Sequence, residues 1–356
     1  MLIVPVMAVR ELPSFDVPFE EILRTVKKGR YKRAVLQVPE GLKRGAFSIA
    51  SELERRTGCS FIVDGGLCYG ACDHAGERAQ LIGAQAVVHL GHSDIPSMER
   101  NDSVPVHFFR VEMKADLRKL RKGIKEAIRA GLGKRVGLAT TAQHIIFLDA
   151  AKAELEKAGI EVRTGPPSKR ETYQGQVLGC SFASVRAISD SVDTVLFIGS
   201  GRFHPLGILQ ATGKGVLSLD PLSGTIEKYG PEELEMFLRR RWGAVQKAME
   251  RISQGGDAGI IVCYKPGQRR KDLAGKCTKI CKDAGVKAHL AVLDELSPMK
   301  LKALGPKLWI STACPRLALE DVELYSREDI TLITPMELEI VLGIERWEDY
   351  RFDEEW

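Results

Sequence analysis

The sequence predicts an α/β protein of three tandem four-stranded parallel-sheet domains in a pseudo-threefold arrangement. Three observations carry this. Short apolar runs alternate with helical patterns along nearly the whole chain. The order of runs restarts twice, near residues 136 and 258, after a first start near 34. A local spacing also recurs: Cys72 lies 19 residues before Gly91 in AVVHLGHS, and Cys180 lies 19 before Gly199 in TVLFIGSG. Short buried strands separated by helices are the signature of parallel sheets covered on both faces. A period of about 100–120 residues means tandem domains rather than a solenoid.

In the first unit, strands are expected at 34–38, 60–63, 85–90 and 104–109, with a helix at 42–56 whose apolar positions include Phe47, Ile49, Ala50 and Leu53. The second has strands at 135–139, 160–163, 194–198 and 215–219 and a helix at 145–157. The third has strands at 258–263, 286–292, 308–311 and 330–333 and a helix at 270–284. Charged helical connectors fall at 114–134 and 231–253. These features divide the chain into domains at 1–112, 113–228 and 229–356. The opening MLIVPVMAV reads as an edge strand or interface segment, because it is short, lacks a basic flank and is broken by Pro5. The end, ERWEDYRFDEEW, reads as a solvated or docking tail.

The 356 residues carry a net charge of +5, with 44% hydrophobic and 28% charged residues. That is the composition of a soluble globular protein. The mild charge does not call for nucleic acid and would suit an acidic protein partner. No run approaches the roughly 18 apolar residues of a membrane span. Eight cysteines are too few for a disulfide scaffold, so a reducing cytoplasm is expected and the thiols are core residues, metal ligands or catalysts.

Three cysteines share a setting, one per unit: Gly70-Ala71-Cys72-Asp73, Leu178-Gly179-Cys180-Ser181 and Thr312-Ala313-Cys314-Pro315. Each follows a small residue that lets backbone approach a bulky ligand. Each is expected at or just before a helix N-terminus, with Asp73 and Ser181 as caps and Pro315 in the first helical position. Such a terminus favours thiolate, the metal-binding form. Three thiolates suit a [4Fe–4S] cluster with one open iron, since closed clusters take four. Spacing alone leaves open three unrelated thiols. Cys277 and Cys281 stand one helical turn apart with Leu273 and Ile280 and read as core. Cys68, Cys72 and Ala75 exclude the CxxxCxxC loop of ordinary radical enzymes, so Cys68 is at most a spare ligand. Cys59 and Cys263 border strands and read as buried thiols.

Loops at the carboxyl ends of parallel strands usually build ligand sites. Here they offer Pro39-Glu40-Gly41, His89 to Ser93, Gly199-Ser200-Gly201-Arg202-Phe203-His204, and Tyr264 to Arg270. Gly199, Ser200, Gly201, His204, Gln268 and Arg316 are candidate substrate contacts. Glycine turns expose N–H groups, Gln268 both donates and accepts, and Arg202, Arg269, Arg270 and Arg316 can grip a carboxylate. No dinucleotide or Walker loop is present.

The segments YGACD, VHLGHS, VLGC, GSGRFHPLG, YKPGQ and STACPR, in this order, resemble the 2-(3-amino-3-carboxypropyl)histidine synthases, which carry out the first step of diphthamide biosynthesis. The resemblance runs from about residue 38 to 316. It implies three α/β domains about a pseudo-threefold axis, with Cys72, Cys180 and Cys314 as the ligands of a [4Fe–4S] cluster. It implies cleavage of the Cγ–S bond of S-adenosylmethionine, release of 5′-methylthioadenosine, and transfer of the 3-amino-3-carboxypropyl group to C2 of a histidine in translation elongation factor 2. The six loop residues above then become candidates for binding S-adenosylmethionine. His92 and His204 are candidates to take the imidazole proton. The compact length resembles the archaeal homodimer, and an external electron donor is implied. Two rival readings are a quinolinate-synthase-like dehydratase and a non-catalytic electron-transfer subunit.

Overall fold

The computed structural model describes residues 12, 14–98, 104–114, 116–320 and 322–354. The apolar opening, residues 1–9, lies outside the described residues. Fifteen strands occur among those described. The first domain contributes β1 (Phe15–Asp16), β2 (Arg33–Gln37), β3 (Ser60–Val63), β4 (Ala86–Leu90), β5 (Val106–Phe109) and β6 (Glu112–Met113). The second contributes β7 (Arg135–Thr140), β8 (Glu161–Thr164), β9 (Thr194–Ile198), β10 (Val216–Leu219) and β11 (Ile226–Tyr229). The third contributes β12 (Ala258–Cys263), β13 (Ala288–Leu293), β14 (Leu308–Ser311) and β15 (Thr331–Ile333).

One topology is repeated three times. The sheet orders are β3-β2-β4-β5, β8-β7-β9-β10 and β13-β12-β14-β15. Each places the unit's second strand outside its first, and all these pairings are parallel. The central strands are buried on both faces: every residue of β4 is buried, and so is every residue of β9 after Thr194. That is why they read as continuous apolar runs rather than as alternation.

The second sheet adds a fifth strand to the expected four. β11 pairs antiparallel with β10, with Val216 opposite Tyr229. Its hairpin turn is closed by Asp220, whose amide bonds Thr225 O at 3.1 Å and whose Oδ1 accepts the Leu222 N–H at 2.7 Å. β1 and β6 form a separate antiparallel pair.

The connector at 231–253 is one helix, Pro231–Ser253. It serves two cores, since Val245 packs in the second domain's cluster and Ala248 in the third's. Between them Arg241, fully buried, bonds Glu337 Oε1 at 2.7 Å, Ala318 O at 2.7 Å and Leu332 O at 3.2 Å. A buried guanidinium persists only when its donors are met this fully.

The C-terminal segment docks within its own chain. Phe352 is 4% exposed and lies against Phe182, Phe203 and Phe237. Glu354 accepts the Phe182 N–H at 3.0 Å and pairs with Arg186, while Asp353 holds Arg270 through two bonds of 3.0 and 3.1 Å. The tail therefore joins the second domain to the third. Among the described residues no helix is long and apolar enough to cross a membrane.

Candidate functional site at the domain junctions

All three candidate cysteines stand at the carboxyl ends of their sheets. Cys72 follows β3, Cys180 follows β8 and Cys314 follows β14. They are also the three free cysteines of intermediate exposure; the other five are buried.

Cys72 lies in a single 3-10 turn, Ala71–Asp73. Gln37 at the end of β2 anchors that turn, donating from Nε2 to Asp73 O at 2.7 Å and accepting the Ala75 N–H at 2.9 Å. Asp73 does not cap a helix. Its fully buried carboxylate pairs with Lys265 of the third domain and accepts the Tyr69 N–H at 3.3 Å. Burial raises the Asp73 carboxyl above its ordinary value, and Lys265 opposes that rise.

Cys180 also departs from the helix-terminus expectation. It sits in a tight turn in which Leu178 and Ser181 exchange backbone bonds of 3.0 and 3.2 Å. Ser181 is occupied there and does not cap. The nearest helix, Ala183–Arg186, begins three residues later. Arg170 donates from Nη2 toward Cys180 Sγ at 3.7 Å. Only Cys314 meets the expectation in full, because Pro315 opens the helix Pro315–Glu320 directly after it.

Gln268 links two of the three cysteines across a domain boundary. It is 1% exposed, donates from Nε2 to Cys72 Sγ at 3.3 Å, and accepts the Cys314 N–H at 3.4 Å. Beside it, Gly267 has no room for a side chain: a Cβ would stand 2.7 Å from Cys72 Cα and 2.5 Å from Met98 Sδ. Glycine is thus required where the third domain's loop meets the first domain's cysteine. On the second domain, a Cβ on Gly179 would stand 3.0 Å from Phe203, and Arg316 lies over the Phe203 ring at 5.8 Å, bringing the Cys314 helix to the Cys180 turn. The first and second domains meet through Gln176 Nε2 donating to Ser93 Oγ at 2.8 Å and Thr172 Oγ1 donating to Asp94 O at 2.9 Å. Every pair of domains is therefore in contact.

The arginines divide. Arg269 is paired with Glu77, Arg270 with Asp353 and Arg316 with Glu320. Arg202 is exposed and forms no ion pair among the described residues. Gly199, Ser200 and Gly201 form the turn after β9, and His204 lies in the first turn of the helix Phe203–Thr212, stacked on Phe197 at 5.6 Å. Burial lowers His92 and His204 to about 4, so both imidazoles are neutral near pH 7. Cys277 and Cys281 pack in the third core, 1% and 0% exposed. A cavity of about 670 Å³, lined by Arg251, Asp257, His289 and Trp309, opens at the amino ends of the third sheet and includes none of the candidate residues. It lies at the wrong end of the strands for chemistry at Cys314.

Sequence reasoning missed Gln37, Lys265, Arg170 and Gly267 as builders of the site. Lys265 and Gly267 were within reach, since both stand in the YKPGQ segment beside Gln268. Gln37 and Arg170 carry no local signal, because their roles arise from long-range packing.

A model of the diphthamide synthesis protein family matches residues 38–351. The chain belongs to that family. The 2-(3-amino-3-carboxypropyl)histidine synthase of Pyrococcus horikoshii is 37% identical over 95% of this chain and 93% of its own length. The enzyme of the same name from Methanocaldococcus jannaschii is 25% identical over 96% and 93%. Subunit 1 of the human synthase is 27% identical over 96% of this chain and 75% of its own. The crystal structure of Dph2 from Pyrococcus horikoshii with a 4Fe-4S cluster superposes with a TM-score of 0.82 at 36% identity, covering 95% of this chain and 93% of that one. This likeness bears out the parallel-sheet α/β class.

Proposed function

We infer that this chain is a 2-(3-amino-3-carboxypropyl)histidine synthase whose Cys72, Cys180 and Cys314 hold a [4Fe–4S] cluster with one open iron. The observation that carries the reading is the sorting of the thiols: one half-exposed cysteine per domain, each at a domain junction, in a chain whose other five are buried. The donor set fits the group. Three thiols leave the fourth iron without a protein ligand, and Gly267 lets the third domain's loop pack directly on Cys72.

When bound and reduced, the cluster supplies the electron that breaks the Cγ–S bond of S-adenosylmethionine, giving 5′-methylthioadenosine and the 3-amino-3-carboxypropyl group for C2 of a histidine in elongation factor 2. The chain's own residues position and shield. Gln268 steadies Cys72 and Cys314 with one amide, and Lys265 neutralises Asp73 beside them. Gly199, Ser200 and Gly201 offer a glycine turn to the nucleoside, and Arg202 is the exposed cation available to the methionyl carboxylate. His204 and Arg316 border that turn. His204, beside that turn, is the candidate to accept the proton lost from the modified imidazole. The working enzyme is a cytoplasmic homodimer served by an external electron donor.

The test is anaerobic. The purified chain is reconstituted with iron and sulfide, reduced and given S-adenosylmethionine, and the nucleoside product is identified by chromatography. Methylthioadenosine, formed only after reduction, is expected. Deoxyadenosine would replace this mechanism with ordinary radical chemistry. A loaded cluster giving no product would favour an electron-transfer subunit.

A further inference from the structure

Within the first domain, a second set of metal-ligating atoms, none of them from the three junction cysteines, converges. Cys68 Sγ, His89 Nε2 and His92 Nδ1 lie within 4.8 Å of one another. The Cys68–His89 separation is 3.9 Å and the His89–His92 separation is 2.9 Å. The three come from different places: the loop after β3, the body of β4 and the loop after β4. Cys68 and His89 are 4% and 0% exposed.

The hydrogen-bond network assigns the protons. Gln37 must turn its NH₂ to Asp73 O and its oxygen to the Ala75 N–H. That oxygen also meets His89 Nδ1 at 2.8 Å. An amide oxygen only accepts, so His89 carries its proton on Nδ1 and presents the Nε2 lone pair to Cys68 and His92. This is the arrangement of a metal-binding histidine whose second nitrogen is fixed by an outer partner. The short contact between His89 Nε2 and His92 Nδ1 then holds one proton, in the place a cation would take.

The geometry points to a mononuclear zinc-class divalent cation site with Cys68 Sγ, His89 Nε2 and His92 Nδ1 as its protein ligands. Mixed sulfur and imidazole donors suit zinc, and three protein ligands leave a fourth position for water. Tetrahedral zinc sets its donors about 3.6 Å apart for sulfur–nitrogen and about 3.3 Å for nitrogen–nitrogen. The Cys68–His89 and His89–His92 distances straddle these values, and the third separation, Cys68–His92, lies within 4.8 Å. On binding, the Cys68 thiol gives up its proton to solvent and the shared imidazole proton moves to His92 Nε2. The consequence is mechanical. Cys68 stands four residues before Cys72, so the cation would tie the loop bearing Cys72 to the end of β4. Ser93, next to His92, makes the contact to Gln176 in the second domain.

The experiment uses the full chain with its cluster in place, equilibrated with zinc and desalted under argon. Zinc and iron are counted by mass spectrometry, and the zinc environment is read by X-ray absorption at the zinc edge. About one zinc per chain is expected, with one sulfur near 2.3 Å and nitrogens near 2.0 Å. Cys68→Ser and His92→Gln should each weaken zinc binding by about tenfold or more while iron stays constant. Should Cys68→Ser fold poorly, Cys68→His should keep zinc and lose the sulfur signal. Three results would overturn the proposal: no zinc retained by the wild-type chain, zinc without a sulfur neighbour, or iron lost together with zinc in Cys68→Ser. The last would place Cys68 on the cluster instead.

Discussion

Cys277 and Cys314 belong to the same domain and carry the same thiol, yet they sit in opposite chemical settings. Cys277 lies inside the helix Lys271–Asp283, 1% exposed among Ala248, Ala274, Cys281 and Ile260. Burial pushes its thiol up to about 12 from the ordinary 9.0, with Cys281 adding to the rise. Cys314 ends a strand loop, half-exposed, its N–H directed to Gln268 at the border with the first domain. Residue type does not separate the two. Position relative to the carboxyl end of the sheet does. A thiol in the core is a small apolar group, whereas the half-exposed Cys314 stands where a ligand can reach it.

The sharpest way to strain this comparison is to make the core thiol polar. Cys277→Ser buries a hydroxyl among apolar side chains and should cost about 1–3 kcal/mol of stability, seen as a lower denaturation midpoint. Cys314→Ser in the cluster-free chain should change stability by much less. Equal losses would mean that the junction is packed as tightly as the core.

A smaller effect separates the two settings by pH. The Cys277 thiol titrates at about 12 in the fold and near 9 when unfolded. Its contribution to stability is therefore fully present below pH 9 and is lost as pH rises toward 12, at no more than about 1.4 kcal/mol per pH unit. Denaturant titrations of the wild type and of Cys277→Ala, compared between pH 8 and 11, should show a shallower alkaline loss in the variant. Identical slopes would show that this thiol is not held protonated by the fold.

Much of the architecture was legible because it is local. β3, β9, β12 and β14 and the helix Pro231–Ser253 fall where the apolar periodicity puts them. β11 was missed because Ile226–Tyr229 is a short, half-exposed strand that exists only by pairing with β10. The tail was ambiguous because its charged residues hide Tyr350 and Phe352, which find their partners in the second domain. The candidate cysteines, singled out by small neighbours and one-per-unit spacing, are the half-exposed ones, but their local geometry was not legible. Neither the Leu178–Ser181 turn nor the Gln37 anchor of the Cys72 turn follows from nearby sequence. The candidate arginines divided for the same reason: Glu77, Asp353 and Glu320 claim three of the four, and two of those partners come from distant parts of the chain.

The most direct test replaces each of the eight cysteines singly by alanine and measures iron and sulfide after anaerobic reconstitution, with folding checked by circular dichroism. Cys72→Ala, Cys180→Ala and Cys314→Ala should each lose most of the iron, while Cys59→Ala, Cys68→Ala, Cys263→Ala, Cys277→Ala and Cys281→Ala keep it. A full cluster in any of the first three, or its loss from a folded member of the other five, would contradict the assignment.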